Sequence, residues 1–158
     1  MKVQKKKLLI EREAPFIVRQ TPNEKHNEVT VARIHYALPV ANITRGFSMT
    51  MLHKIKKAVA GFPDANVEFK FVPTPDSPSF LFTCKGKTER RGDDIHNQEL
   101  ADKIALAKCR AKACAISLKL IKVINDVLKE NVKHCDDLQN IFTQYYTREY
   151  AYIQKVKA

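Results

Sequence analysis

The sequence lacks the long apolar segments of membrane and secreted proteins and has little of the glycine and proline that are typical of low-complexity chains. None of its apolar runs is long enough to span a bilayer. The apolar stretch Leu8–Ile10 runs directly into Glu11–Glu13, so it is too short for the core of a secretory signal. Four Gly and seven Pro in 158 residues are too few for a low-complexity chain. We therefore expect a soluble, cytoplasmic protein without a membrane partner.

Metal-binding patterns are also missing. The four cysteines, Cys84, Cys109, Cys114 and Cys135, form no C-x-x-C pair. On a helix, Cys109 and Cys114 are about 140° apart around the axis and cannot share a metal ion or a disulfide. We expect four unpaired thiols that are buried or half-buried, in a reducing compartment, and no metal site.

Catalytic motifs are absent in the same way, since there is no G-x-S-x-G, phosphate-binding P-loop, H-E-x-x-H or EF-hand pattern. Asp94 and His96 could form an acid–base pair. Asp93 and Asp94 also suit a helix N-terminus, where capping and the helix dipole favour acidic residues. We expect no catalytic residue, no enzyme activity and no cofactor.

What the sequence does contain is a strand-rich part, residues 1–92, followed by a helical part, residues 93–158. Apolar and polar residues alternate in the first part, and turn-forming residues separate the alternating segments. The predicted strands are Glu13–Gln20, Glu28–Leu38, Asn66–Pro73 and Ser79–Thr88, of which the last two form a hairpin. Phe47, Met51, Ile55 and Val59 recur every four residues and predict a helix over Asn42–Ala60.

The second part predicts two long helices, Asn97–Glu130 and Cys135–Val156, joined at Asn131–His134 into an antiparallel hairpin. The first of these helices is rich in alanine around its middle, which allows a second helix or a sheet to approach closely. Tyr145, Tyr146, Tyr150 and Tyr152 in the second helix are packing or interface residues, or alternatively platforms for stacking bases. The prediction is a single α+β domain that forms a homo-oligomer through its long helices.

The formal charge of +11 suggests an anionic partner, and it is unevenly distributed along the chain. Lys2, Lys5, Lys6 and Lys7 form a basic N-terminal tail. Lys85, Lys87, Arg90 and Arg91 precede a predicted helix N-terminus, which is a suitable environment for phosphate. The helix then carries six basic residues from Lys103 to Lys122 without one acidic residue between them. A helix whose basic residues are only solvated usually carries glutamate residues between them, which form ion pairs one turn apart.

The segment GKTERRGDDIHNQELADKIALAKCRA, residues 86–111, resembles a pattern in small phage and prophage proteins. That pattern is G-x-A-x-C-x-P-x-D-x-F-[ND]-x-E-x-G-x-K-[IL]-A-x-A-[RK]-A. The positions that agree are Gly86, Asp94, Asn97, Glu99, Lys103, Ile104, Ala105, Ala107 and Lys108. Thr88, Arg90, Gly92, His96 and Ala101 replace its Ala, Cys, Pro, aromatic and Gly.

The layout of a sheet followed by long helices is also similar to that of anti-Thoeris sponges. This resemblance implies an oligomer that sequesters a cyclic ADP-ribose-type immune signal without cleaving it. It further implies a site near Asn97 and the loop basic residues, completed by helix basic residues across a subunit interface.

Two hypotheses for function follow. The first is a non-enzymatic protein that binds a phosphate-bearing ligand, for instance a nucleotide immune signal. Its site would contain Lys87, Arg90, Arg91, Asn97, Lys108, Arg110 and Lys112. The alternative is a nucleic-acid-binding protein that uses the basic helix face and the basic N-terminal tail.

Overall fold

The computed structural model describes residues 8–20, 28–63, 65–71, 77–90 and 98–157. Its elements are β1 (Ile10–Glu11), β2 (Phe16–Gln20), β3 (Glu28–Pro39), α1 (Met49–Ala60), β4 (Glu68–Lys70), β5 (Ser79–Arg90) and α2 (Gln98–Lys157). A small antiparallel sheet with one short helix is followed by a long helical segment, so the predicted α+β class is confirmed. None of the helices within these ranges combines the length and the apolar character that a bilayer-spanning segment requires.

The five strands form one antiparallel sheet in the order β1-β3-β5-β4, and β2 also pairs with β3. The β3–β5 ladder is the longest, running from Glu28 opposite Arg90 to Pro39 opposite Ser79. β4 pairs only with the start of β5, from Ser79 to Leu81. The predicted hairpin of the third and fourth strands is therefore confirmed, although β4 is shorter than expected.

One face of the sheet forms the core. Alternate residues of β3 and β5 point to this face, and Ile34, Tyr36, Phe80 and Phe82 are almost fully buried there. The rings of Tyr36 and Phe82 lie on directly opposite residues and stack with centroids 5.5 Å apart. The alternating pattern predicted both segments as strands, and the structure shows that they pair with each other.

α1 begins at Met49, seven residues later than predicted. The hydroxyl of Ser48 accepts a hydrogen bond from the Met51 amide at 3.3 Å and caps the helix. Gly46 has φ of +77°, a left-handed conformation that cannot continue into a right-handed helix. Phe47 therefore lies outside the helix, whereas Met51, Ile55 and Val59 form its buried face as predicted.

α2 is one continuous helix of 60 residues, so the predicted helical hairpin is wrong. The residues expected to form its break, Asn131 to His134, contain neither Gly nor Pro, and nothing there forces the helix to end. The chain groups into two compact units, Met1–Val123 and Ile124–Ala158, and the boundary falls within α2.

All four cysteines are unpaired, as predicted. Cys84 and Cys109 are buried in the first unit, which agrees with the expected environment. Cys114 and Cys135 are exposed, so the expectation was wrong for these two. Both lie at exposed positions of α2.

Candidate functional site

Two of the basic residues come from β5, and the alternation of the strand determines where they lie. Cys84 and Gly86 are buried, whereas Lys85 and Lys87 between and after them are exposed. Because successive side chains of a strand point to opposite faces, both lysines lie on the face opposite the core. They are two residues apart and therefore neighbours on that face.

The core side of β5 is where α2 makes its closest approach. Gly86 leaves so little space that a Cβ atom placed on it would meet the Ala105 carbonyl oxygen and lie 2.6 Å from the Cys109 nitrogen. The Cys109 thiol donates a hydrogen bond to the Cys84 carbonyl at 3.2 Å. The small residues Ala105, Cys109 and Ala113 are fully buried, so this contact is made by the small-sided part of the helix.

This packing brings Lys108 and Lys112 of α2 close to β5. The ammonium group of Lys108 donates a hydrogen bond to the Lys87 carbonyl at 3.1 Å. Lys112 lies one helical turn further along the same side of α2. We call Lys85, Lys87, Lys108 and Lys112 the β5–α2 lysines. Within the described ranges, no acidic side chain forms an ion pair with any of the four.

Lys85 and Lys112 line a pocket of about 410 Å³ beside the part of β5 that β4 does not pair with. The pocket is lined by Asn66, Thr83, Cys84, Lys85, Lys112 and Ile116. Burial raises the pKa of Cys84 to about 11, and the neighbouring Cys109 thiol adds to the shift, whereas the charge of Lys112 opposes it. Cys84 is thus a neutral thiol at physiological pH, and the two amines supply the formal charge of the pocket.

A second pocket of about 370 Å³ adjoins the first, since Asn66 and Thr83 line both. Its lining includes the apolar side chains of Phe62, Val67 and Leu81 and the charged residues Arg12, Glu68 and Lys70. One pocket is therefore bounded by two cations, and its neighbour offers apolar surface together with charges of both signs. Thr83 also exchanges a hydrogen bond with the His35 ring at 2.7 Å, which orients its hydroxyl.

Arg110 lies apart from the β5–α2 lysines. Its Nε donates a hydrogen bond to the Glu11 carboxylate at 2.8 Å, and this bond raises the pKa of the guanidinium. Glu11 belongs to β1, which pairs with β3 on the side opposite β5. The structure thus brings Lys87, Lys108 and Lys112 together at one side of the helix and directs Arg110 to the other.

The remaining predicted site residues are at the end of β5 or outside the described residues. The backbone of Arg90 ends β5, two residues beyond the predicted strand. Arg91, Asn97, Asp94 and His96 lie outside the described residues. The same holds for the N-terminal lysines Lys2, Lys5, Lys6 and Lys7.

A row of side chains across the open face of the sheet was missed by the sequence reasoning. Phe16 in β2 is directly opposite Arg33 in β3, which is directly opposite Lys85 in β5. Directly opposite residues point to the same face, so an aromatic ring and two cations lie side by side there. Phe16 is 63% exposed. The alternation of the segments could have indicated this face, but not which residues are opposite one another.

No group of three or more His, Cys, Asp or Glu that could hold a metal ion is found among the residues with described positions. Comparisons of the chain with protein-family models, with curated proteins and with solved structures each give no match. What the site can bind is therefore inferred from its charges, pocket linings and hydrogen bonds.

Proposed function

We propose that the paired pockets beside β5 bind a phosphate-bearing organic ligand of nucleotide size, and that the protein holds this ligand without transforming it. The observation that carries the proposal is the pair Lys85 and Lys112 in one pocket, without an acidic partner among the described residues. Both residues line the same concave site, so their positive charges would attract an anion bound there.

The adjoining pocket supports an organic ligand rather than a bare phosphate ion. Phe62 and Leu81 offer apolar surface for a base or sugar, and Asn66 and Thr83 line both pockets. Each pocket has the volume of a small-molecule site. A nucleotide with its phosphate at the lysines would extend past Asn66 and Thr83 into this second pocket, and a nucleotide immune signal belongs to this ligand class.

The test is titration calorimetry with AMP, ATP and inorganic phosphate, comparing the wild-type protein with Lys85→Ala plus Lys112→Ala. Each charge-assisted hydrogen bond is worth about 1.5–3 kcal/mol, so loss of both should weaken nucleotide binding by roughly 100-fold or more. Lys57→Ala plus Lys122→Ala is the matched control, because it also removes two exposed helix lysines. Equal affinities of the two double variants, or no nucleotide binding by the wild type, would overturn the proposal.

A second candidate function, binding of single-stranded nucleic acid, is favoured by the row Phe16, Arg33 and Lys85. An aromatic side chain beside cations on an open sheet face can stack a base while the cations contact the backbone. Binding of this kind weakens steeply with salt, whereas a pocket for one nucleotide is much less sensitive. Fluorescence anisotropy with a labelled oligothymidine at 50 and 200 mM salt tests it. Binding that survives Phe16→Ala plus Arg33→Ala would refute this assignment.

The homo-oligomer is also a proposal, but it needs a different surface from the one expected. Ala105, Cys109 and Ala113 pack on the protein's own sheet, so the small-sided part of α2 is not available to a second copy. An oligomer formed through the long helix must use residues further along the chain.

A further inference from the structure

The C-terminal part of α2 presents hydrophobic side chains that nothing in the described chain covers. Every residue from 132 to 157 is exposed. Phe142 is 66% exposed and Tyr152 64%. Other large hydrophobic residues that are also exposed from Leu128 onwards are Val132, Leu138, Ile141, Tyr145, Tyr146, Tyr150, Ile153 and Val156. A contiguous exposed surface of this kind marks an interaction site.

The spacing of these residues is that of a coiled coil. Positions separated alternately by three and four residues form the seam of a supercoiled helix pair. Such a series runs without a break along the second unit: Leu128, Asn131, Cys135, Leu138, Phe142, Tyr145, Glu149, Tyr152 and Val156. Seven of its nine members are apolar or aromatic or carry a thiol, and the two polar members are Asn131 and Glu149.

We propose that this seam pairs with the same seam of a second copy of the chain, in antiparallel orientation. The argument is self-complementarity about residue 140. In an antiparallel pair, a position of one heptad class lies opposite the other class of the partner. With the centre at residue 140, Leu128 lies opposite Tyr152 of the second copy, Cys135 opposite Tyr145 and Leu138 opposite Phe142.

The polar residues of the seam decide the orientation. Asn131 and Glu149 are each nine residues from the centre, so the antiparallel arrangement places an amide opposite a carboxylate. A parallel arrangement would place Glu149 opposite Glu149, and like charges in a seam are destabilising.

The surface is also large enough for a stable dimer. Aromatic side chains can bury about 150–250 Å² each, and four of those on or beside the seam are more than half exposed. Together with the aliphatic residues, roughly 800 Å² per copy becomes available, which is the size of a standard protein–protein interface. This inference is independent of ligand binding at the β5–α2 lysines.

Sedimentation velocity of the full-length protein tests the dimer. The chain has a mass of 18.1 kDa, and a species of twice that mass is expected at micromolar concentration. Leu138→Glu plus Phe142→Glu should give the monomer. Asn140→Glu plus Thr147→Glu adds the same charge on the opposite side of the helix and should leave the dimer intact. A wild-type monomer, or equal behaviour of the two variants, would overturn the proposal.

Disulfide trapping tests the orientation. In a Cys114→Ser background, Tyr145→Cys should give a covalent dimer under mild oxidation, because its thiol faces Cys135 of the second copy. Thr143→Cys points away from the seam and is the control. A Cys135–Cys135 disulfide in the otherwise wild-type background would contradict the antiparallel arrangement. Nucleotide binding can be measured separately on the monomeric variant, so failure of one proposal does not affect the other.

Discussion

The contact between Gly86 and α2 gives the most direct test of how the site is assembled. In Gly86→Ala, the new methyl group would meet the Ala105 carbonyl oxygen, the Cys109 nitrogen at 2.6 Å and the Cys109 Cβ at 3.0 Å. Two of these atoms belong to the helix backbone, which cannot rotate away as a flexible side chain can. The helix as a whole must therefore move away from β5.

The expected magnitude follows from two opposing effects. Overpacking of a close contact costs about 1–3 kcal/mol, and a rigid backbone places this substitution towards the upper end. Replacing glycine also restricts the unfolded chain, which offsets about 0.4–1 kcal/mol. The net loss of stability should be about 2 kcal/mol. For a protein of this length, that corresponds to a fall in Tm of roughly 4–8 °C.

Thermal and urea unfolding, followed by circular dichroism, measure this loss, and two other glycines provide matched controls. An ideal Cβ on Gly61 meets no atom within 4 Å, and the backbone there is ordinary, so Gly61→Ala should be nearly neutral. Gly46 has equal space but a left-handed backbone, so Gly46→Ala should cost about 1–2 kcal/mol through strain alone. If Gly86→Ala unfolds at the same midpoint as Gly61→Ala, the close approach of α2 is not a feature of the folded protein.

Two further predictions concern the thiols. A thiol reagent such as a disulfide dye should modify Cys114 and Cys135 quickly in the native protein, and Cys84 and Cys109 only after denaturation; four fast thiols would contradict the packing. Because burial raises the pKa of Cys84 to about 11 and also raises that of Cys109, the protonated thiols contribute their full stability below pH 9. The free energy of unfolding should then fall between pH 9 and 11, by up to about 1.4 kcal/mol per pH unit for Cys84, and the fall should be shallower in Cys84→Ala.

β3 and β5 could each be predicted as strands from sequence because the pattern that defines a strand is local. Val29 and Val31, and later Phe80 and Phe82, alternate with polar residues over a full strand length, and this period is sufficient to identify a half-buried strand. The start of α1 was placed wrongly because Phe47 continues the four-residue period. The left-handed conformation of Gly46 breaks the helix there, and periodicity does not report it.

The continuity of α2 was missed for the opposite reason. Polar residues at Asn131 and His134 interrupt the apolar stripe, and the interruption suggested a turn. A polar residue on a helix removes hydrophobic burial but leaves the backbone hydrogen bonds in place, so the helix continues.

The sequence could indicate that basic residues are clustered, but not which of them lie close together in the fold. The charge clusters predicted Lys87, Lys108 and Lys112 as site residues. Lys108 donates a hydrogen bond to the Lys87 carbonyl, and Lys112 lines the pocket beside β5. Arg110 is in the same cluster in sequence, yet its partner Glu11 is 99 residues away along the chain. A long-range ion pair of this kind depends on how the helix crosses the sheet, and no local pattern of residues encodes that crossing.

The alternation along β5 has a consequence for the accuracy of folding. A slip of β5 by one residue relative to β3 would exchange the two faces of the strand and turn Lys85 and Lys87 towards α2. There the helix backbone leaves no room for even a methyl group, and a buried ammonium group without a partner is strongly unfavourable. A misaligned sheet could not dock its helix. Lys85 and Lys87 therefore destabilise the shifted register and favour the native pairing of β5 with β3, independently of any ligand.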